Sequence, residues 1–187
     1  MARVGVSYPR YAKYTNSGTT VTYSAGGSLG KATTVSVELD GADNNILYAD
    51  NGPAESVRSF SGGNLTIGTD DLYDAAAKAI LGWTDGTDGE IIRKADTTPD
   101  YMGVGFVIKH IRSGVAAYTG VVLTKVQFAD PGFSVDTQGE NIDWQTPELE
   151  ATILRDDTAD AVWCRHKTVE TEALARTYVD GLLNISA

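Results

Sequence analysis

The sequence predicts a mainly β domain: a β-sandwich or small barrel with one central and one C-terminal α-helix and a long extended loop. Three observations carry this. Apolar and polar residues alternate through most of the patterned segments, the period of a strand with one buried face. Helical spacing appears only twice. Finally, 20 glycines in 187 residues, together with many Thr, Val and Ser, suit sheets and turns. The 42% hydrophobic content supplies one core, and the length fits a single domain over residues 1–187.

Val4 to Tyr8 and Tyr11 to Thr15 read as short strands interrupted by Pro9, which suits an N-terminal arm, about 1–15, or a sheet edge. Thr20 to Tyr23 adds a strand before a Gly26–Gly27 turn. Ala32 to Leu39 alternates, with Val35, Val37 and Leu39 on one face and Thr34, Ser36 and Glu38 on the other. The polar stretch 40–57, with Asn44–Asn45, Asn51–Gly52 and Pro53, holds only the apolar island Ile46–Leu47–Tyr48. It reads as a long loop of the kind that carries function. Phe60 to Thr69 returns as a strand with Leu65 and Ile67 inward.

The period then changes. Leu72, Ala76, Ala79 and Ile80 mark a helix over Asp70 to Leu81, with Thr69 or Asp70 as cap and Gly82 as stop. Asp85 to Glu90 is a turn; its Asp and Gly spacing lacks the closing ligands of a calcium loop. Tyr101 to Arg112 and Val115 to Phe128 form a hairpin turning at Ser113–Gly114, which pairs Arg112 with Val115, Ile108 with Thr119 and Val104 with Leu123. One face of that hairpin (Met102, Val104, Phe106, Ile108, Val121, Leu123) is a core face. The other (Gly103, Gly105, Val107, Gly120, Val122) is small and apolar, so a second sheet or a neighbouring subunit is expected over it. Asn141 to Gln145 and Leu149 to Ile153 read as two further strands separated by Pro147. Thr171 caps a final helix with Leu174, Tyr178 and Leu182 on one stripe.

Charge narrows the functional classes. Fifteen basic against 25 acidic residues give −10, which argues against gripping DNA by its phosphates. Residues 1–37 hold Arg3, Arg10, Lys13 and Lys31 and no acid, whereas Glu38, Asp40, Asp43, Asp50 and Glu55 follow without a base. The segregation suggests a basic end (Arg3, Arg10, Lys13) that meets an acidic end of another copy, or simple clustering on a solvated surface. No apolar run approaches the ~18 residues of a membrane span. No apolar secretory stretch opens the sequence, and the single Cys164 suits a reducing cytosol.

Catalytic patterns are weak. His110 sits near a turn and reads as a solvated surface histidine. Cys164 and His166 share a strand face, but one thiol and one imidazole make no closed zinc site. Asp70–Asp71 and Asp156–Asp157 suit caps and turns, and Glu148 with Glu150 shares a strand face without defining a cleft. Gly103–Val104–Gly105 is not followed by a helix, as a dinucleotide loop requires. No catalytic residue, metal or cofactor is expected. A carbohydrate-binding or adhesion module using Trp83, Trp144 and Trp163 as stacking platforms is the alternative.

The run TQGENIDWQTPELEATILRDDTA (Thr137 to Ala159) resembles the C-terminal block of the major tail protein family of long-tailed, non-contractile bacteriophages, the tail-tube subunit. RVGVSYPRYAKY (Arg3 to Tyr14), LYADNGPAES (Leu47 to Ser56), DDLYDAAAKAILG (Asp70 to Gly82), YMGVGFVIKHIRSGV (Tyr101 to Val115) and TVETEALARTYVDGLL (Thr168 to Leu183) resemble the same family, in order. The resemblance implies a virion structural protein, assembled in the host bacterial cytoplasm. It forms homohexameric rings that stack into a tube through which double-stranded DNA passes without specific binding. It implies tape-measure, tail-terminator and tail-tip partners, and no membrane insertion. It also implies an inter-ring loop at about 40–57 (Asp43, Ile46, Leu47, Tyr48, Asp50). On that reading Glu38, with Thr34 and Ser36, is expected to face the bore, and Asp143, Glu148 and Glu150 are second candidates.

Overall fold

A computed structural model describes residues 2–41, 45–49, 52–57, 60–132 and 146–186. Among these the chain forms, in order, strands β1 (Ala2–Ser17), β2 (Thr20–Ser28), β3 (Ala32–Leu39), β4 (Asn45–Ala49), β5 (Gly52–Val57) and β6 (Gly63–Thr69), helix α1 (Asp74–Leu81), the short strands β7 (Thr84–Asp85) and β8 (Ile91–Ile92), strands β9 (Tyr101–Arg112), β10 (Val115–Phe128), β11 (Glu148–Leu154) and β12 (Cys164–Val169), and helix α2 (Glu172–Leu183). The fold is mainly β and antiparallel with two helices, as expected.

The β9–β10 hairpin organises the rest. Ser113 (φ 50°) and Gly114 (φ 81°) both adopt left-handed backbone, the two-residue turn whose twist matches paired strands. The register is the expected one: Arg112 opposite Val115, Ile108 opposite Thr119, Val104 opposite Leu123. An eight-stranded sheet grows around it in the order β2-β1-β9-β10-β11-β6-β3. At its far edge β10 forks. Tyr118 to Leu123 pairs with β12, and Lys125 to Phe128 with β11. The register slips between Leu123 and Val126, and a bulge of this kind bends the strand. The bend turns β11-β6-β3 over the first half of the sheet until β3 lies against β1. The interior buries Leu65, Ile67, Met102, Val104, Phe106, Leu123, Leu149 and Ile153. Helix α1 follows β6 and adds Ala76, Ala77, Ile80 and Leu81 to that core.

Five expectations needed correction. First, β1 is one 16-residue strand, paired on both sides with β2 and β9, rather than two fragments at an edge. The register shifts between Ser7 and Arg10, so Pro9, which has no N–H, falls where no ladder donor is required. Second, Gly26 and Gly27 lie inside β2 instead of in a turn, because the Tyr11 ring and Ile185 occupy the space a Cβ would need. Third, 40–57 is not structureless: β4 and β5 pair as an antiparallel hairpin in a two-stranded sheet of their own. Pairing satisfies backbone groups that a bare loop would leave to water.

Fourth, the small apolar face of the hairpin is covered by the chain's own helix α2, not by a second sheet. Ala175, Val179 and Leu183 pack on Val107 and Val122. A Cβ at Gly105 would stand 2.5 Å from Val179 Cγ1, and one at Gly120 would stand 2.9 Å from the Ala175 carbonyl oxygen. Glycine there is a requirement of close approach. Fifth, the stripe of α2 is therefore Ala175–Val179–Leu183, and Leu174 is 55% exposed. Thr171 does cap α2, its Oγ1 accepting from the Leu174 N–H. By contrast, α1 starts after Tyr73 without a side-chain cap. The Asp70 carboxylate instead accepts from the N–H groups of Lys31 and Asp71.

Candidate functional site

Two surfaces stand out once the sheet is in register. The first is the solvent face of β3-β6-β11. Leu65, Ile67, Leu149, Ala151 and Ile153 point inward and are buried, so strand alternation turns their neighbours outward. The pairing sets three cross-strand rows: Thr34–Gly68–Glu148, Ser36–Thr66–Glu150 and Glu38–Asn64–Thr152. Thr34, Ser36, Glu38, Glu148 and Glu150, picked out separately in the sequence, therefore share one exposed face. Glu38, Asn64, Thr66, Glu150 and Thr152 line a shallow hollow in it. The three strands carry no Lys, Arg or His, so this face is acidic and hydroxyl-rich with no fixed cation of its own. Asp143 lies outside the described residues.

The second surface is an opening at the turn end of the β9–β10 hairpin, a cavity of about 570 Å³. Its walls include Val35, Val37, Leu39, Ile108, Val121 and Trp163, and its polar groups include Arg3, His110, His166 and Thr168. Val37 and Leu39 were expected inward, yet they are 37% and 50% exposed. They face the interior side of the sheet, but the space before them is not filled by the described chain. Both histidines line this opening, which sequence did not show. His110 is not a solvated surface residue: its Nδ1 is buried without a hydrogen-bond partner. Burial first, and the Arg3 guanidinium second, push its pKa down. The only sequence signal for the opening was a strand, β3, whose apolar face had no assigned cover.

The basic end does not form as expected. Arg3 pairs with His110 at one end of β1, and Lys13 with Met102 at the other, roughly 30 Å apart at strand rise. Lys13 is held by Asp100 at 2.5 Å. Arg10 belongs to an internal latch. Its Nη2 donates to the Tyr8 hydroxyl at 2.6 Å, the Tyr8 hydroxyl donates to Asp180 at 2.7 Å, and Arg10 Nε lies 3.8 Å from Asp180. Arg10 and Arg176 flank the Tyr8 ring at 4.2 and 4.6 Å, and Tyr8 has φ 60°, a conformation a non-glycine residue keeps only when its surroundings hold it. The latch fastens α2 to β1. Of the three, Arg3 alone forms no ion pair among the described residues.

Ile46, Leu47 and Tyr48 sit in β4, opposite Ser56, Glu55 and Pro53; Asp43 and Asp50 lie outside the described residues. Cys164 and His166 both line the opening, but burial raises the Cys164 pKa, which keeps the thiol protonated and poorly nucleophilic. The acid pairs serve the fold. The Lys31 N–H above all, with the Asp71 N–H, holds the Asp70 pKa down. Asp156 Oδ1 accepts from Thr158 N–H, Thr158 Oγ1 and Val162 N–H. Asp157 is lowered mainly by its hydrogen bond from Lys125, then by that from Tyr14. Among the described residues no three His, Cys, Asp or Glu side chains are grouped to hold a metal ion. Among the described residues no helix is long and apolar enough to cross a membrane.

Trp83 and Trp163 each stack on a neighbour of the same chain. Arg93 lies 3.7 Å over the Trp83 ring, whose Nε1–H donates to Asp130 at 3.2 Å. Trp163 stacks on Phe60 with centroids 5.0 Å apart. Trp144 lies outside the described residues. The described residues thus define a mainly β domain with a base-free acidic sheet face and, among those residues, strand edges that pair on one side only. No protein-family model matches this chain, and no curated protein matches it in sequence.

Proposed function

We propose that this protein is a self-assembling structural subunit whose copies join by their sheet edges into stacked hexameric rings. The rings form a hollow tube that conducts double-stranded DNA, as in the tail-tube family that the sequence resembles. The observation that carries this reading is the solvent face of β3-β6-β11 together with its free edge. Strands β2, β3 and β12 each pair with one neighbour only among the described strands, and an unpaired edge is a template for another chain. The face beside the β3 edge is polar and acidic, and it holds no cation that would trap phosphates.

Dimensions agree. Strands β3, β6 and β11 and the Lys125–Phe128 end of β10 are consecutive in the sheet, with Lys125 neutralised by Asp157 and the rest of β10 covered by α2. If six copies each present four, about 24 strands at ~4.8 Å spacing and ~45° tilt give a circumference of roughly 160 Å. The backbone diameter is then roughly 50 Å and the bore about 40 Å or less, wider than a DNA duplex. Within such a bore only charges within about 8 Å of the DNA act strongly at physiological salt, so Glu38, Glu148 and Glu150 are the acids that matter.

Electron microscopy of the purified protein at high concentration tests the proposal. Rings or tubes with an open centre are expected. A protein that stays monomeric at every concentration, with or without a tail-tip nucleus, overturns it.

A further inference from the structure

The opening and the β7–β8 turn have complementary chemistry at opposite ends of the molecule. The opening offers exposed apolar surface at Val37 and Leu39, and no acid lines it among the described residues. Its one fixed cation, Arg3, and its two histidines, His110 and His166, pair with no acid among the described residues, and His110 Nδ1 lacks a partner.

The β7–β8 turn is a short protrusion bearing Asp85, Asp88 and Glu90. Beyond them Ile92 is 36% exposed. Lys78 neutralises Asp85, while Asp88 and Glu90 form no ion pair among the described residues. The segment is anchored at the Phe128 end of β10, where Asp130 holds both Trp83 and Arg93. The opening takes in Thr119 to Leu123 on the same strand. At least five residues of β10, roughly 17 Å at strand rise, and the bend at the Leu123–Val126 register slip separate the two. A knob at one end and a socket at the other, on identical molecules, make a contact that repeats without closing.

We propose that the opening is the socket for the acidic β7–β8 turn of a second copy. Ile92 would enter between Val37 and Leu39, and Arg3 would meet Asp88 and Glu90. This rests on the self-assembly reading and names the surfaces that meet along the assembly axis. Charge opposition across the contact fixes polarity, because two sockets or two knobs facing each other would repel.

Burial keeps the native Cys164 thiol of the socket protonated, so the reporter thiol is placed at the exposed Val37 instead. In a Val37→Cys, Ile92→Cys, Cys164→Ser variant under mild oxidation, each chain would link its socket thiol to the next chain's knob. A ladder of trimers and larger species on a non-reducing gel is expected, whereas wild type can give dimers at most. Dimers alone from the variant overturn the proposal. A second variant, Ile92→Asp, leaves the monomer folded by circular dichroism and raises the concentration needed for assembly at least about tenfold, the weight of one buried apolar side chain. Unchanged assembly overturns the proposal while leaving the tube reading intact; failure of wild type to assemble at all sinks the tube reading itself. Dodecanoate, an apolar anion, is the competing occupant. If it protects a Val37→Cys thiol from alkylation at micromolar concentration and no ladder forms, the socket belongs to a small amphiphile and the proposal is overturned.

Discussion

Replacing Gly120 by alanine tests the packing of α2 on the sheet, because the sign of the effect is at stake. Gly120 has no left-handed backbone requirement, so alanine would ordinarily stabilise by about 0.4–1 kcal/mol through the unfolded chain. The structure predicts the opposite. The new methyl carbon would stand 2.9 Å from the Ala175 carbonyl oxygen, 3.0 Å from Tyr178 Cδ1 and 3.2 Å from Val179 Cγ2. A helix backbone cannot swing aside as a flexible side chain can, so α2 must lift. Overpacking of this kind costs roughly 1–3 kcal/mol, which leaves a net loss of up to about 2.6 kcal/mol. For a domain of this size that lowers the melting temperature by up to roughly 10 °C. Gly5→Ala is the control, because nothing lies within 4 Å of its added methyl; it should be neutral or slightly stabilising. Urea denaturation followed by circular dichroism measures both. A Gly120→Ala midpoint at or above wild type would refute the close approach of α2.

Three further outcomes are expected. Deleting 44–51 removes all of β4, which pairs with β5 in a separate two-stranded sheet, so the subunit should fold with an unchanged melting temperature yet fail to form long tubes; tubes of normal length would show that the hairpin is dispensable. Burial, followed by the hydrogen bond to Asp157, raises the Tyr14 pKa to about 12, and burial raises that of Tyr23 as well. A raised folded-state pKa contributes stability that is complete below pH ~10 and is lost as pH climbs towards ~12, so urea midpoints should fall across that window, less steeply in Tyr14→Phe, and a flat profile would contradict the burial. Exposed Glu38→Lys and Glu150→Lys should each change monomer stability by no more than about 0.5 kcal/mol, but they place cations on a face that has none; retention of DNA by assembled tubes, measured across a salt series, should rise, and unchanged retention would remove these acids from the bore.

Much of the sheet was legible because its signals were local. The β9–β10 register followed from two turn residues, and β3 and β11 from clean alternation. The Thr34–Ser36–Glu38 and Glu148–Glu150 rows were readable strand by strand. Their meeting on one face was not, because it depends on β6 lying between two strands more than a hundred residues apart in sequence. The stripe of α2 was misplaced by one residue for a physical reason. Hydropathy favours Leu174 over Ala175, but a glycine-floored surface selects the smaller side chain. Pro9 looked like a break until the shifted pairing around it removed the need for its N–H. The opening was invisible because it is a space between β3, β9, β10 and β12, and no single segment encodes it.

The pairing of β1 with β9 has a cost in time. Val6 waits for Ile108, and a ribosome adding about 5–20 residues per second needs many seconds to deliver it. Meanwhile β1 can zip with β2, leaving its other margin bare in a crowded cell. The nascent chain therefore spends its youth as a sticky ribbon, and how fast translation runs through the middle of the message should govern how much protein survives to assemble.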